Sequence, residues 1–223
     1  MNRSIPWRWE VRDRTLIVRF DAPFRTLGWA PLGGGFSRAR VVANHQVAQD
    51  DRRATEAPRQ YLRRTFRRLA IDPRAVVAMM TGAKVARTAY AFAGRGSLLA
   101  GAWCTAGCTN ALRVGDRASF GPAPCGTINL IVALNEPFDD GALAEALQIT
   151  TEARVVAVQG AKAASKKSGK LATGTGTDCL VVAAPTGKAA HRYCGKHTVA
   201  GELIGRAVLA SCARALAREA LNR

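Results

Sequence analysis

The sequence lacks any apolar run long enough to cross a lipid bilayer as a helix, which takes about 20 residues. Its opening segment, Met1 to Glu10, carries charges and two tryptophans and has none of the apolar stretch that a secretory signal requires. Together these absences predict a cytoplasmic protein with no membrane partner. Thiols stay reduced in that compartment, so the six cysteines are expected to be free rather than paired in disulfides.

Signatures of the common metal and nucleotide sites are missing as well. The cysteines form no C-x-x-C pair, and three histidines are too few for a histidine-rich metal centre. No phosphate-binding loop, H-E-x-x-H motif or G-x-S-x-G motif occurs. We therefore expect no cofactor and no metal. A metal site would require the carboxylates of Asp116, Glu152 and Asp178 to meet in space.

Negative charge is scarce: 16 acidic residues stand against 33 Lys and Arg, for a net charge of +17. Five of the arginines lie in residues 58–70, where they alternate with Leu62, Phe66 and Leu69 at helical spacing. This pattern predicts a basic amphipathic helix that packs its apolar side on a core and leaves its arginines in water. The alternative is a nucleic-acid-binding module, whose affinity would fall steeply with salt, although no known nucleic-acid motif appears.

The order of apolar segments predicts an α+β (mixed α/β) fold for a single domain over residues 1–223. The first third contains short strand-like runs that indicate a partly antiparallel sheet, and the second half alternates strands with helices. Asp139 or Asp140 is predicted to cap the first of these helices, and Thr198 the last. The predicted elements are strands at 15–20, 25–29, 40–43, 127–134 and 179–184, helices at 58–70, 140–158 and 200–221, and a mobile cationic loop at 161–170.

Four clusters of small polar residues lie at the edges of these apolar elements. Hydroxyls and backbone N–H groups at such edges can point into a ligand cleft. Any one cluster alone is typical of a tight glycine-containing turn, but four of them favour a shared site. The clusters are Thr105–Asp116, Gly126–Asn129, Ala172–Asp178, and Gly195–Thr198 with Gly201–Gly205.

The clusters resemble the motifs of one family, the adenosylcobinamide amidohydrolases (the CbiZ family). That family's pattern is T-A-G-x-[ST]-N-A-x-R-x-G-D, G-T-I-N, T-E-A, A-T-G-T-G-T-D and H-T-x-x-G-E-L-I-G. All five blocks occur here in order, and looser similarity extends over about residues 30–210. One departure is Arg154, where the family usually has Lys. The blocks lie at Thr105–Asp116, Gly126–Asn129, Thr151–Ala153, Ala172–Asp178 and His197–Gly205.

The resemblance implies an enzyme of corrinoid salvage. Members of this family hydrolyse the amide that joins the aminopropanol arm to the corrin ring of adenosylcobinamide. The products are adenosylcobyric acid and 1-amino-2-propanol. A second interpretation is a corrinoid-binding protein without catalysis. The sequence leaves the oligomeric state open, with a homo-oligomer as one alternative.

The segment 126–133 is also similar to the nucleophile strand of two other groups, the N-terminal-nucleophile aminopeptidases of the β-peptidyl type and the ornithine acetyltransferases. This similarity implies an αββα sandwich with Thr127 as nucleophile. Cys108 and Cys125 are rival nucleophiles. With the chain intact before Thr127, a base must come from elsewhere.

The remaining roles needed for amide hydrolysis are a base, donors to the oxyanion, and contacts to the substrate. Glu152, Asp178 and His197 are the candidate bases. The side chain of Asn110 and the backbone N–H groups of 174–177 are the candidate oxyanion donors. The predicted substrate contacts are Thr105, Gly107, Thr109, Asn129, Thr173, Gly174, Thr175, Gly176, Thr177 and Glu202.

Overall fold

A computed structural model describes residues 5–48, 50–118 and 126–221. The rival nucleophile Cys125 lies outside these residues. A short 3₁₀ helix covers Val85–Arg87. The strands are β1 (Trp7–Arg12), β2 (Thr15–Gly28), β3 (Ser37–Gln46), β4 (Val76–Thr81), β5 (Ala89–Arg95), β6 (Leu98–Thr105), β7 (Ala111–Leu112), β8 (Asn129–Leu134), β9 (Gly174–Thr175) and β10 (Cys179–Pro185), and the helices are α1 (Arg52–Glu56), α2 (Pro58–Arg68), α3 (Asp140–Gly160) and α4 (Val199–Ala220).

The strands form one large mixed sheet in the order β4-β3-β2-β10-β8-β6-β5, with β1 beside β2, while β7 and β9 pair separately. The β3–β4 and β8–β10 pairs are parallel and the others are antiparallel. The antiparallel start predicted from the sequence is confirmed in β1 to β3. The two strands predicted at 15–20 and 25–29 are one strand, β2, whose register with β3 shifts between Arg19 and Phe24.

The large sheet folds over so that its two halves face each other. Trp7 on β1 contacts Trp103 on β6 edge to face, with ring centroids 6.0 Å apart. Both belong to a core cluster that also contains Val18 and Val42 from the first half and Ile131 from β8. Alternate residues of β8 point instead to a second core beneath α3 and α4. The β1–β4 half and the β5–β10 half are therefore the two central layers of a four-layered molecule.

Helices cover the outer face of each half. On one side α2 packs Leu62 and Phe66 against Val41 and Val76 of the sheet. The side chains of Leu62 and Phe66 are fully inaccessible to solvent. On the other side α3 and α4 pack on β8, β10 and β6. The α+β class and the αββα arrangement are thus confirmed, and so is the amphipathic helix predicted at 58–70.

The helix starts are fixed by side-chain caps, as the sequence predicts. The Asp139 carboxylate accepts the Ala142 N–H at 2.8 Å, and the Thr198 hydroxyl accepts the Gly201 N–H at 3.0 Å. Residues 161–170 contain neither an α-helix nor an extended strand. Within the three described ranges, none of the helices has the length and apolarity needed to span a bilayer.

Candidate active site

Three of the four polar clusters converge at one edge of the β5–β10 half. Asn129 at the start of β8 lies opposite Thr105 at the end of β6 and beside Cys179 at the start of β10. The pairing of β7 with β9 then joins the first cluster to the third. Because β8 and β10 are parallel, both strands begin at this edge. The loops that precede them therefore meet there.

Two threonine hydroxyls touch at the centre of this edge. The Oγ1 atoms of Thr127 and Thr177 are 2.7 Å apart, and Thr177 Oγ1 donates to the Gly126 carbonyl at 3.2 Å. Because the Thr177 hydroxyl uses its proton in the bond to Gly126, the Thr127 hydroxyl donates the hydrogen bond that joins the two threonines. Thr127 is buried, whereas Thr177 is exposed. The pair therefore lies at the boundary between core and solvent.

The Asp178 carboxylate fastens the turn of Thr177 to the strand that follows Thr127. One oxygen, Oδ1, accepts the Ile128 N–H at 2.9 Å and the Thr175 hydroxyl. The other, Oδ2, accepts the Thr175 N–H at 2.9 Å and pairs with Arg154 Nη1 at 2.8 Å. All four of its usual acceptor positions are filled. Although Asp178 was predicted as a base, its carboxylate offers no free lone pair in this geometry.

The amide of Asn110 lies against both glycine-containing loops. A Cβ on Gly126 would stand 2.6 Å from Asn110 Oδ1, and one on Gly176 would stand 3.7 Å from Asn110 Nδ2. Asn110 Oδ1 is buried without a hydrogen-bond partner. Among the hydrogen bonds of the described residues, none uses Asn110 Nδ2 or the Thr177 N–H. These donors lie on residues next to Gly126 and within the turn that contacts Thr127, and they have no protein acceptor among the described residues.

Two predicted substrate contacts, Thr105 and Asn129, lie in the core, each only 1% exposed. Asn44 Nδ2 donates to Thr105 Oγ1 at 2.9 Å, and Asn129 Nδ2 donates to Asn44 Oδ1 at 2.9 Å. Asn129 Oδ1 also accepts the Cys179 N–H at 3.0 Å. Their polar atoms thus join the two β layers behind the threonine pair. A direct contact of either with the substrate stays a prediction.

The structure does not bring Glu202 and His197 to the threonine pair. Glu202 in the first turn of α4 pairs with Arg95 at 3.0 Å, whereas Glu219 near the helix end accepts the Cys108 N–H at 3.3 Å. At 1.5 Å per residue, these two ends of α4 are about 25 Å apart. Exposed His197 precedes the distant end. Both residues belong to the fourth cluster, which precedes and begins α4. This cluster lies at the edge of the sheet opposite to the other three clusters, so neither residue reaches the threonine pair.

Glu152 lies on α3 and pairs with Lys196 at 2.6 Å. Hydrogen bonds from Lys196 and then Gln148 hold the pKa of the Glu152 carboxyl below its ordinary value. The carboxylates of Asp116, Glu152 and Asp178 bond to separate partners, namely Ser165, Lys196 and Arg154. In the part of the chain that the structure describes, no three His, Cys, Asp or Glu side chains are grouped as a metal site.

Other predicted contacts lie beside the pair. The Gly107 N–H donates to the Thr127 carbonyl at 3.0 Å, and Thr109 Oγ1 lies 2.6 Å from where a Gly126 Cβ would be. Gly174 and Thr175 form β9, and the Thr173 hydroxyl accepts the Val114 N–H at 2.8 Å. The rival nucleophile Cys108 is buried next to this group.

Three neighbours of the site are not among the site residues predicted from the sequence. Arg154 pairs with Asp178, Trp29 Nε1 donates to the Asp178 carbonyl at 2.8 Å, and Glu219 reaches Cys108 from the end of α4. Arg154 directly follows the Thr151–Ala153 block and stands where the family usually has Lys, whereas Trp29 and Glu219 lie outside the motif blocks.

With the site described, the relatives of the chain can be compared with it. The profile of a family described as adenosylcobinamide amidohydrolase matches residues 4–222. The chain belongs to the adenosylcobinamide amidohydrolase family. The match is wider than the region of about 30–210 that carries the motifs. Membership implies a corrinoid substrate and an amide-hydrolysing activity.

A curated relative in this comparison is "Uncharacterized protein MJ1613" of Methanocaldococcus jannaschii. It is 29% identical over 225 residues, which cover 92% of this chain and 87% of the relative. Among solved structures, a Burkholderia sp. beta-aminopeptidase is similar with a TM-score of 0.47 and 14% identity, covering 92% of this chain and 79% of that one. The PH0078 protein from Pyrococcus horikoshii OT3 has a TM-score of 0.44 and 8% identity, with 98% and 80% covered.

Proposed function

We propose that this member of the family hydrolyses the aminopropanol amide of adenosylcobinamide and releases adenosylcobyric acid and 1-amino-2-propanol. The observation that carries the proposal is the convergence of Thr127, Thr177 and Asn110 at one edge of the sheet. A hydroxyl nucleophile and unused amide donors are the groups that acyl transfer needs close together. The family match supplies the substrate class.

Thr127 Oγ1 is the proposed nucleophile. Its hydroxyl donates to Thr177, which fixes its direction, and its strand is anchored one residue later through the Ile128 N–H. Attack on the amide carbon would give a tetrahedral intermediate, whose collapse expels the amine. Water would then hydrolyse the resulting ester and release the acid. Of the three predicted bases, Asp178 has its acceptor positions filled, Glu152 is paired with Lys196, and His197 lies toward the opposite edge. The proton of the attacking hydroxyl would therefore pass to the Thr177 oxygen, and the Thr177 proton would pass to the leaving amine.

The negative charge of the tetrahedral intermediate requires hydrogen-bond donors that have no other acceptor. Asn110 Nδ2 and the Thr177 N–H meet this condition within the described residues. The Thr175 N–H does not, because Asp178 Oδ2 already accepts it. We therefore assign the oxyanion to Asn110 and to the later part of the turn. Loss of one such donor typically lowers kcat by about 10²- to 10³-fold.

Replacement of Thr127 tests the proposal. In Thr127→Ala the nucleophilic oxygen is gone, so we expect no release of 1-amino-2-propanol from adenosylcobinamide above background, with corrinoid binding retained. Thr127→Ser keeps the oxygen and should keep measurable turnover. Thr186→Ala is a matched control, since its hydroxyl bonds only the Pro23 carbonyl at 3.0 Å, outside the site.

Product analysis separates the proposal from its alternatives. Near-normal turnover by Thr127→Ala would move the nucleophile to Cys108, Cys125 or an activated water. Wild-type protein that binds corrinoid but leaves it unchanged would favour the non-catalytic carrier. Protein that ignores corrinoid and binds nucleic acid with a steep salt dependence would favour the basic module.

A further inference from the structure

We infer that Arg154 is a positioning residue of this site and acts through Asp178 to hold the Thr177 hydroxyl against Thr127. The inference rests on the proposed function, because it concerns the same nucleophile. Arg154 extends from α3, which contributes no other bond to the turn 173–178. It touches neither hydroxyl of the threonine pair.

The guanidinium group of Arg154 holds the turn at both ends. Nη1 pairs with Asp178 Oδ2 at 2.8 Å, and Nη2 donates to the Thr173 carbonyl at 3.4 Å. Between these contacts the group lies against Gly174, whose added Cβ would stand 3.3 Å from Arg154 Cζ. The side chains of Arg154 and Asp178 are 12% and 6% exposed. The pair is therefore shielded from solvent and has a defined geometry.

Asp178 transmits this constraint to the nucleophile. Its carboxylate accepts one N–H on the turn, from Thr175, and one N–H on the nucleophile strand, from Ile128, both at 2.9 Å. Ile128 directly follows Thr127, and Thr177 directly precedes Asp178. A rotation of the carboxylate would therefore move both members of the threonine pair relative to each other. With its four acceptor positions filled, the carboxylate serves as a fixed support.

Removing one partner of a buried ion pair leaves the other charge uncompensated, which is strongly destabilising. In the described residues, Arg154 is the cation paired with Asp178. Removing the guanidinium while keeping the chain length should therefore free the Asp178 side chain to rotate toward water. Loss of about 1 Å in the placement of reacting groups can lower a rate by about 10²-fold.

The test combines Arg154→Met, Arg154→Lys, Asp178→Asn and the double variant Arg154→Met/Asp178→Asn, each assayed for kcat and KM on adenosylcobinamide. We expect kcat to fall about 10²-fold in Arg154→Met with KM changed less than about threefold. Arg154→Lys keeps the cation and should retain most of kcat. If Arg154 acts through Asp178, the double variant is no slower than the slower single variant.

Arg25→Met is the matched control, because Arg25 pairs with Asp140 at the start of the same helix, away from the turn. Its kcat should equal that of the wild type. Near-normal kcat in Arg154→Met, or rate losses that multiply in the double variant, would overturn the inference. The thermal midpoint separates positioning from folding. A midpoint of Arg154→Met near that of Arg25→Met attributes the loss of kcat to positioning, whereas a midpoint far below it attributes the loss to unfolding and counts against the inference.

Amide hydrogen exchange tests the positioning without any turnover. In Arg154→Met the Ile128 and Thr175 N–H groups should exchange faster than in the wild type, while amides in the middle of β8 stay unchanged. If wild-type protein releases no aminopropanol, the proposed function fails, and this measurement still decides the inference. Unchanged exchange at both amides would refute it.

Discussion

At the scale of single residues, the site depends on glycines, because a Cβ atom at their positions would clash with the groups that form it. Gly174 is the sharpest case, since a Cβ there would stand 2.2 Å from Asp178 Oδ2 and would displace the carboxylate. The hydrogen bonds and the ion pair of the Asp178 carboxylate can form only if position 174 has no side chain. The run of glycine and threonine that looks like a generic turn in the sequence thus has a specific steric reason.

Gly174→Ala is expected to lower kcat by about 10²-fold or more, because it moves Asp178 and with it the Thr177 hydroxyl. The measurement is release of 1-amino-2-propanol, with the thermal midpoint recorded alongside. Gly205→Ala is the control, since nothing lies within 4 Å of its added Cβ in α4. That change should stabilise the helix by about 1 kcal/mol and leave turnover unaltered.

His45 makes stability depend on pH. Burial, and then the positive charges of Arg14 and Arg68, lower the pKa of His45 from 6.5 to about 4, against a smaller opposite effect of Asp51. The unfolded chain takes up a proton near 6.5, but the folded chain takes it up only near 4. The free energy of unfolding therefore has its full value above 6.5 and falls as the pH drops toward 4, by ~3 kcal/mol at most.

Urea unfolding of wild type and His45→Gln at about pH 7 and about pH 5 measures this contribution. The wild type should lose more stability than the variant between the two conditions. His45 Nδ1 lies 2.8 Å from the Thr15 hydroxyl, which a glutamine amide can also contact. Equal losses in the two proteins would show that His45 does not titrate in this way.

At the scale of elements, a buried chain of polar side chains joins the two β layers. Asn44 on β3 bonds Thr105 on β6 and Asn129 on β8, and Asn129 also donates to the Met80 carbonyl on β4 at 2.8 Å. Every member lies in the core. The network fixes the edge of the sheet on which Thr127 is presented, so its role is to hold the layers in register.

Asn44→Ala is expected to lower the free energy of unfolding by about 1–3 kcal/mol, because the buried amide of Asn129 loses an acceptor. Denaturant titration measures the loss, and Gln148→Ala on the exposed side of α3 is the control, expected within about 0.5 kcal/mol of wild type. The KM for adenosylcobinamide should stay unchanged. A raised KM with unchanged stability would instead support the predicted substrate contact at Thr105 and Asn129.

At the scale of the whole molecule, the net charge of +17 opposes folding through repulsion. The exposed arginines of α2 include i,i+4 neighbours such as Arg59 and Arg63, and Arg63 and Arg67. Like charges at that spacing destabilise a helix by about 0.2–0.5 kcal/mol per pair. The apolar side of α2 is buried in the core, so only its charged side is open to a partner.

Added salt should therefore raise the thermal midpoint. Between about 0.01 M and about 0.15 M salt, the Debye length falls from about 30 Å to about 8 Å, which screens the repulsion. Calorimetry in sodium chloride measures the rise, and the double variant Arg63→Gln/Arg67→Gln should respond less. A midpoint that falls with salt would mean that attractive ion pairs outweigh the repulsion.

The family and most of the helices and strands could be predicted from the sequence, although β2 was predicted as two strands. Local signals sufficed there, since helical spacing marks α2, Asp139 and Thr198 cap α3 and α4, and five ordered motifs carry the resemblance. Which motifs share a site depends on the fold and could not be predicted from local signals. Asn110, Thr127 and Thr177 meet because parallel β8 and β10 begin at the same edge as the end of β6, whereas α4 carries His197 and Glu202 to the opposite edge. Contacts such as the ion pair of Arg154 with Asp178 depend on how α3 packs on the sheet, and no periodic pattern in the sequence predicts them.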